Sequence, residues 1–175
     1  MTNVAYELGN QLKEKLISSD KISSISYKSL LIMGMGGSGV AGDVLKLFSN
    51  SQVSTDITVI KNYSIPKNLI EKKPFCLFIS YSGNTEETIS GLNEAIVNNF
   101  NWAVISSGGK LIELAKSHQK EFILIPSGLQ PRAAFGYLSK AVCTFLDYNE
   151  NTDFTLQLND AGTYLNELLD KGEES

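Results

Sequence analysis

The sequence has few of the side chains that build metal sites in proteins. It contains two cysteines, Cys76 and Cys143, and one histidine, His118. Neither cysteine belongs to a CxxC pair and each stands among apolar neighbours, so we predict two buried structural thiols. His118 lies in a polar connection and is expected at the surface. So sparse a set of nitrogen and sulfur ligands argues against a zinc site, and we expect no metal.

Long apolar runs and an excess of positive charge are also missing. The net charge is −4 and the isoelectric point is about 5.0, so no basic face for nucleic acid is indicated. The longest apolar runs are far shorter than a membrane span. Residues 1–6 lack the basic start and apolar block of a signal peptide. We therefore expect a cytoplasmic protein that binds neither nucleic acid nor membranes.

The composition that remains is that of a folded domain. Of the 175 residues, 42% are hydrophobic and 19% are charged, which favours a packed core over disorder. We expect residues 1–152 to form a single domain, with an N-terminal helix and its connection in residues 1–27. A further helix and a polar tail are expected in residues 153–175.

Short apolar segments alternate with segments of helical spacing along the chain. The predicted strands are residues 30–33, 56–60, 75–80, 101–106 and 121–125. A helix is also expected over residues 4–19, before a polar connection over residues 20–27. Apolar strands separated by amphipathic helices indicate a parallel sheet covered on both faces. The prediction is an α/β, three-layer αβα sandwich with a five-stranded parallel sheet, like flavodoxin or Rossmann folds.

Three loops with unusual composition each follow a predicted strand. They are the first loop (residues 34–39), the hydroxyl loop (residues 80–84 with the adjoining Thr85) and the third loop (residues 126–132). The carboxyl ends of parallel strands share one edge of the sheet, which is where ligands of such sheets bind. The three loops are therefore expected to form one site.

The hydroxyl loop has the composition of an anion site. Its candidate binding residues are Ser80, Ser82, Gly83, Asn84 and Thr85. The glycine frees the backbone to turn and expose N–H groups, and the next helix supplies partial positive charge, so phosphate needs no lysine here. Asn84 is expected to cap that helix. The alternative is a capped turn without a ligand, although one cap needs only one hydroxyl.

The first loop matches the pattern G-x-G-x-x-G at Gly34, Gly36 and Gly39. This pattern between a strand and a helix is typical of dinucleotide-binding proteins, which also place an acidic residue at the end of the second strand. Lys61 stands there instead, and it would suit the 2′-phosphate of NADP, so an NADP-dependent enzyme stays open. The lack of a following Gly-Lys-Ser/Thr excludes a P-loop. The simplest alternative is a tight turn with close helix–strand packing.

In the third loop, Arg132 stands near the first turn of a predicted helix. A cation at that position opposes the helix dipole, which suggests a functional reason for its presence. An arginine there could hold a phosphate or stabilise a developing oxyanion. The alternative is a surface salt bridge.

The three loops together resemble a known family. Residues 33–43, Met-Gly-Met-Gly-Gly-Ser-Gly-Val-Ala-Gly-Asp, and residues 80–88, Ser-Tyr-Ser-Gly-Asn-Thr-Glu-Glu-Thr, are similar to motifs of the sugar isomerase (SIS) domain. Residues 130–137, which begin Gln-Pro-Arg-Ala-Ala, resemble those of the bifunctional phosphoglucose/phosphomannose isomerases. The resemblance covers nearly the whole chain, and the three motifs together are specific.

The resemblance implies a reaction and a role for each loop. The reaction would convert glucose 6-phosphate or mannose 6-phosphate into fructose 6-phosphate, as in glycolysis and gluconeogenesis, with no metal or organic cofactor. Arg132 would be catalytic by stabilising the enediolate. The implied substrate contacts are Gly36, Gly37 and Ser38 for the sugar, and Ser80, Ser82, Gly83, Asn84 and Thr85 for the phosphate.

The sequence also departs from the family. Members carry two SIS domains, whereas these residues contain one, and the glutamate base, histidine and lysine of the second domain have no counterpart here. We therefore expect the N-terminal half of an isomerase, nearly inactive alone, that forms a homodimer or pairs with a second SIS domain. Apolar residues of the 153–170 helix are candidates for that surface. The alternative is a stand-alone phosphosugar-binding or regulatory module.

Overall fold

The apolar segments become the strands of one sheet, and the segments of helical spacing pack on its two faces. The computed structural model describes residues 2–19, 26–49 and 52–173. The strands within them are β1 (Ile17–Ser18), β2 (Ser29–Gly34), β3 (Asp56–Ile60), β4 (Phe75–Ile79), β5 (Trp102–Ser106) and β6 (Glu121–Leu124). The helices are α1 (Thr2–Lys13), α2 (Gly36–Ser49), α3 (Lys67–Ile70), α4 (Glu86–Val97), α5 (Gly109–Ser117), a 3₁₀ helix (Pro131–Ala134), α6 (Phe135–Glu150) and α7 (Phe154–Glu173).

The sheet has the strand order β1-β6-β5-β4-β2-β3. The pairs from β6 to β3 are all parallel, and the intervening helices cross over the faces of the sheet. The α/β prediction, with helices on both faces of a mostly parallel sheet, is confirmed. Each predicted parallel strand exists within one or two residues of its expected position.

The sixth strand, β1, was not predicted. The sequence pattern favoured a helix over residues 4–19, but α1 ends at Lys13, and Ile17–Ser18 pairs antiparallel with β6. Ser19 extends the pairing, because its N–H donates to the carbonyl oxygen of Phe122 at 3.0 Å. A bare edge strand leaves backbone groups unpaired, and β1 satisfies those of β6. The predicted connection over residues 20–27 lies outside the described residues up to residue 25.

The central strands are buried on both faces, which explains their continuous apolar sequence. Alternate residues face α2 and α6 on one side and α4 and α5 on the other. The first face includes Leu30, Ile32, Leu77, Ile79, Ala103 and Ile105. The second face includes Leu31, Met33, Cys76, Phe78 and Val104.

The two cysteines are buried on opposite faces of the sheet, so the prediction of buried thiols is confirmed. Cys76 packs with the α4 and α5 side and Cys143 with the α2 and α6 side. Burial raises the pKa of each thiol to about 12. Both sulfurs therefore remain protonated at neutral pH and serve as apolar packing groups.

At three places the helical segments extend beyond the residues that the apolar pattern indicates. Helix α2 begins at Gly36, so the glycines of the first loop, which was expected to precede the helix, belong to its first turn. Arg132 lies in the 3₁₀ helix that precedes α6. Helix α7 continues to Glu173 and includes the start of the predicted polar tail. In each case the helix extends through small or polar residues that an apolar pattern does not detect.

Helices α1 and α7 pack closely against each other. A Cβ on Gly9 would lie 2.9 Å from the carbonyl oxygen of Gly162, and one on Gly162 would lie 2.5 Å from that of Gly9. Because of this contact, α1 covers part of the apolar face that the 153–170 helix was expected to expose. Three large apolar side chains of α7 remain exposed, namely Leu156, Tyr164 and Leu168.

Candidate functional site

The loops that follow the parallel strands meet at the carboxyl edge of the sheet. Strand β2 pairs with β3 on one side and with β4 on the other, so the order of strands reverses at β2. Ligands of open α/β sheets bind beside such a reversal. The first loop follows β2 and the hydroxyl loop follows β4. These two loops therefore flank the position at which the topology favours a ligand.

Three hydroxyl groups of the hydroxyl loop form one cluster. Ser80 is buried, and its Oγ lies 2.8 Å from Thr85 Oγ1 and 3.5 Å from Ser82 Oγ. The backbone N–H of Gly83 donates to Ser80 Oγ at 3.1 Å. Ser82 is exposed and Thr85 is half-buried, so the cluster reaches from the protein interior to the surface. The structure thus brings together the three hydroxyls that the sequence singled out.

Helix α4 begins directly after this cluster. Its N-cap residue is Thr85, whose side chain makes no capping hydrogen bond. The first N–H groups of a helix lack partners within the helix and carry partial positive charge, so they favour an anion. Glu86 and Glu87 also lie in this turn and interact with the same dipole. An anion at the cluster would share the partial charge with these carboxylates.

Asn84 does not cap α4, contrary to the expectation. Its Oδ1 accepts the backbone N–H of Lys110 at 3.0 Å, and its Nδ2 donates to the carbonyl oxygen of Ser82 at 3.3 Å. Lys110 lies in the first turn of α5, so this amide ties the hydroxyl loop to the helix after β5. The partner is 26 positions away in sequence, which a local capping pattern does not reveal.

Gly83 lets the hydroxyl loop pass close to the turn after β5. Its φ is +72°, a conformation that side chains other than glycine rarely adopt. A Cβ at this position would lie 1.9 Å from the carbonyl oxygen of Gly108 and 2.7 Å from Ser106 Oγ. The carbonyl of Gly83 accepts the N–H of Leu111 at 3.0 Å. Both the backbone conformation and the close contact therefore require glycine.

Ser38 joins the first loop to the hydroxyl loop. Helix α2 begins at Gly36, where φ is +52°, and this places Gly37 and Ser38 in its first turn. Ser38 is 4% exposed, and its Oγ accepts the backbone N–H of Tyr81 at 3.3 Å. The hydroxyl that the resemblance assigned to the sugar therefore supports the backbone of the hydroxyl loop.

Gly37 allows the third loop to pack closely against the first turn of α2, beside the hydroxyl loop. A Cβ on Gly37 would lie 3.4 Å from the carbonyl oxygen of Pro131 and 3.6 Å from the Cα of Arg132. The backbone that carries Arg132 therefore runs against the first turn of α2. Arg132 is the single arginine of the sequence, and its side chain is exposed. Among the described residues no carboxylate forms an ion pair with it, so the salt-bridge alternative has no partner there.

Tyr81 connects the hydroxyl loop to the loops after β5 and β6, and the sequence pattern did not single it out. Its hydroxyl donates to the carbonyl oxygen of Pro126 at 3.1 Å and accepts the N–H of Leu129 at 2.8 Å. Its own carbonyl oxygen accepts the hydroxyl of Ser107 at 2.6 Å. The side chain is 7% exposed. The sequence offered one indication of this role, because Tyr81 is a large side chain between the small residues Ser80 and Ser82.

Lys61, the residue considered for the 2′-phosphate of NADP, forms an ion pair with Asp43 on α2. Both side chains are nearly half exposed. Gly39 lies beneath the stem of this lysine, because a Cβ there would be 2.8 Å from Lys61 Cε. The lysine thus already has a charged partner, and the glycine serves close packing.

The described residues contain neither a candidate membrane span nor a candidate metal site. In residues 2–19, 26–49 and 52–173, no helix is both long enough and apolar enough to cross a membrane. Within the same ranges, no three histidine, cysteine, aspartate or glutamate side chains are grouped so that they could hold a metal ion.

Known proteins with similar sequences identify the relatives of this chain. No protein-family model matches the chain. The bifunctional phosphoglucose/phosphomannose isomerase of Caldicellulosiruptor bescii is 36% identical over 133 residues, which cover 76% of this chain and 37% of the relative. That of Aquifex aeolicus is 35% identical over 153 residues, which cover 85% of this chain and 46% of the relative. The chain is a homologue of the bifunctional phosphoglucose/phosphomannose isomerases. The resemblance seen in the three motifs is therefore confirmed.

The chain spans less than half the length of these isomerases. A relative with another name is also similar: the D-glucosamine-6-phosphate 4-epimerase of Sulfolobus acidocaldarius is 31% identical over 158 residues, which cover 90% of this chain and 49% of the relative. The names of these homologues share a phosphorylated sugar but differ in the reaction.

Solved structures with low sequence identity share the fold. The C-terminal domain of glucosamine-fructose-6-phosphate aminotransferase from Francisella tularensis superposes with a TM-score of 0.58 at 14% identity, over 95% of this chain and 52% of that one. The Vibrio vulnificus NanR protein complexed with ManNAc-6P gives a TM-score of 0.52 at 11% identity, over 99% of this chain and 60% of that one. The chain therefore shares its α/β fold with these two proteins.

Proposed function

We propose that the chain forms a phosphosugar-binding SIS domain of an aldose–ketose isomerase, which interconverts glucose 6-phosphate or mannose 6-phosphate with fructose 6-phosphate. The observation that carries the proposal is the meeting of three loops at one sheet edge. There the hydroxyl cluster, the first turn of α2 and the backbone of Arg132 are joined through Ser38 and Gly37. The names of the homologues support the reaction class.

In this proposal the hydroxyl loop holds the phosphate of the substrate. Ser82 and Thr85 donate from their hydroxyls, and Ser80 orients both from its buried position. The uncapped start of α4 adds partial positive charge. Gly36 and Gly37 let the sugar approach the backbone of α2, which a side chain would hinder.

Arg132 stabilises the enediolate that forms when a proton moves between C1 and C2 of the sugar. A guanidinium remains charged at every working pH and can donate two parallel hydrogen bonds to neighbouring oxygens. Its exposed side chain has no ion-pair partner among the described residues, which leaves it available for substrate. Negative charge that develops only in the transition state is best stabilised by such a preorganised donor.

The proton transfer also needs a base, which we propose comes from a second SIS domain or from a second copy of the chain. His118 is unsuited, because it ends α5 and its ring lies 5.9 Å from that of Trp102, the first residue of β5. This position is at the amino edge of the sheet, opposite the hydroxyl cluster. The exposed apolar residues Leu156, Tyr164 and Leu168 on α7 support pairing with another domain. The setting we propose is cytoplasmic sugar-phosphate metabolism.

The proposal is tested by assaying the 175 residues alone and mixed with the second SIS domain of a homologous isomerase. We expect fructose 6-phosphate to form from glucose 6-phosphate or mannose 6-phosphate only in the mixture. The separate domain serves as the control for its own activity. If the mixture is inactive although the two domains form a complex, the proposed isomerase role is wrong.

Ser82→Ala is expected to weaken the binding of fructose 6-phosphate to the chain by about 1–3 kcal/mol, since it removes a hydrogen bond to a charged group. Isothermal titration calorimetry measures the change. Ser117→Ala is the matched control, because Ser117 lies at the far end of α5 and its Oγ donates only to the carbonyl oxygen of Leu114. Equal affinities for the Ser82→Ala variant and the control would show that the hydroxyl loop does not hold the phosphate.

A second candidate is a phosphosugar-binding module without catalysis. The observation that favours it is the structural likeness to NanR, which was solved in complex with ManNAc-6P. The two candidates differ in one measurement. A module binds sugar phosphates but forms no fructose 6-phosphate with any second domain, whereas the isomerase domain gains activity on pairing.

A further inference from the structure

A second polar cavity lies away from the hydroxyl cluster. It has a volume of about 580 Å³ and is bounded by β1, α6 and the start of α7. No residue of the three loops lines it. The lining includes three lysines and four hydroxyl-bearing threonines and serines, namely Lys13, Lys15, Lys140, Ser18, Thr144, Thr152 and Thr155. Cavities of this size commonly hold small metabolites.

Lys140 is the unusual member of this lining, because it is only 8% exposed. Its Nζ donates to the carbonyl oxygen of Leu12 at 2.8 Å and to Asn159 Oδ1 at 2.6 Å. The first bond has a structural role, since Leu12 belongs to the last turn of α1 and its carbonyl lacks a partner within the helix. An ammonium has three donors, and the described residues supply no acceptor for the third.

The charge of Lys140 lacks a counterion. None of the ion pairs among the described residues includes it, and burial lowers its pKa from the ordinary value. The carboxylate of Glu14 acts on it only at longer range and favours the charged form. A buried ammonium without a contacting anion is costly, so an anion in the cavity would stabilise it.

Asp147 also lines the cavity but does not neutralise it. Its Oδ1 accepts the N–H of Phe154 at 2.8 Å and the hydroxyl of Thr152 at 2.7 Å. Its Oδ2 accepts the N–H and the hydroxyl of Thr155 at 2.8 and 2.7 Å. The carboxylate therefore serves as the cap of α7. One occupied aspartate faces three lysines, which leaves the lining with an excess of about two positive charges.

We propose that this cavity is a second binding site, for a phosphate monoester, with Lys140 as its buried anchor. The dianion of a phosphate matches the excess charge of the lining. Lys13 and Lys15 are exposed and add attraction at the mouth, and the hydroxyl of Ser18 in the lining can donate to a phosphate oxygen. The proposal is independent of the isomerase role, because the cavity shares no residue with the hydroxyl loop.

The test is a titration of the isotopically labelled chain with inorganic phosphate, followed by amide NMR. We expect a saturable shift of the amides of Thr155 and Asn159, separate from that of Gly83 in the hydroxyl loop. Lys140→Met should weaken the first response at least about tenfold and leave the second unchanged. Ser82→Ala should weaken the response of the Gly83 amide and leave that of the Thr155 and Asn159 amides unchanged. The two sites are thus distinguished within one experiment.

Controls cover folding and anion type. If Lys140→Met does not fold, the double variant Lys13→Gln/Lys15→Gln replaces it, with an expected weakening of about two- to fivefold that salt reduces. Chloride at matched ionic strength and acetate should each bind more weakly than phosphate. The proposal is overturned if the Thr155 and Asn159 amides do not respond, if chloride or acetate acts equally well, or if neither lysine variant changes the phosphate response.

Discussion

Gly83→Ala is expected to destabilise the protein by about 2–5 kcal/mol. The positive φ of +72° contributes about 1–2 kcal/mol for a residue with a side chain. The remainder, about 1–3 kcal/mol, is overpacking, because the new Cβ would be 1.9 Å from the carbonyl oxygen of Gly108. That carbonyl is backbone, and the turn around it also bonds to Ser106, so it cannot move freely. Urea unfolding followed by circular dichroism measures the loss.

The matched control for this variant is Gly128→Ala. Gly128 also has a positive φ, +93°, but a Cβ there would have no neighbour within 4 Å. It should lose only the conformational part, about 1–2 kcal/mol. The difference between the two variants isolates the contact between the hydroxyl loop and the turn after β5. Equal losses would mean that this contact does not constrain the loop.

Arg132→Ala is expected to lower kcat of the assembled isomerase about 10²–10³-fold, with little change in KM. The physical reason is that, in the proposed role, the guanidinium meets full negative charge only when the enediolate forms. Because the side chain is exposed, the thermal stability of the variant should stay close to that of the parent protein. Steady-state kinetics on glucose 6-phosphate, with the second domain supplied, provides the measurement.

Two further variants make the Arg132 experiment specific. Arg132→Lys keeps the charge but loses the planar pair of donors, so only part of the rate should return. Lys61→Ala removes a different exposed cation, one paired with Asp43 on α2, and should leave kcat unchanged. A loss seen only in KM would indicate that Arg132 binds the substrate without stabilising the enediolate.

Several features of the protein follow from local sequence patterns. The continuous apolar segments determine strands buried on both faces, and their alternation with helical segments determines a parallel sheet. Once the sheet is parallel, every loop that follows a strand must lie at one edge. The grouping of the first, hydroxyl and third loops was therefore predictable, as was the burial of Cys76 and Cys143.

Other features arise only when distant segments meet, and no local pattern contains them. Strand β1 exists because the free edge of β6, about a hundred residues later, offers backbone partners to Ile17 and Ser18. Asn84 bonds to the start of α5 instead of capping α4, since that N–H lies within reach only in the folded chain. The role of Tyr81 depends in the same way on the loop after β6.

The candidate site combines features that local sequence sets with features that only tertiary contacts set. The sequence by itself determined which hydroxyls, glycines and arginine stand at the carboxyl edge of the sheet, because the succession of strands and loops along the chain and the type of each side chain can be read locally. Only the tertiary structure decided that Ser80 is the buried centre of the cluster and that the backbone of Arg132 packs against Gly37. It also decided that Lys140 is buried beside a cavity, since the surroundings of a side chain are set by the packing of α1 and α7 on α6.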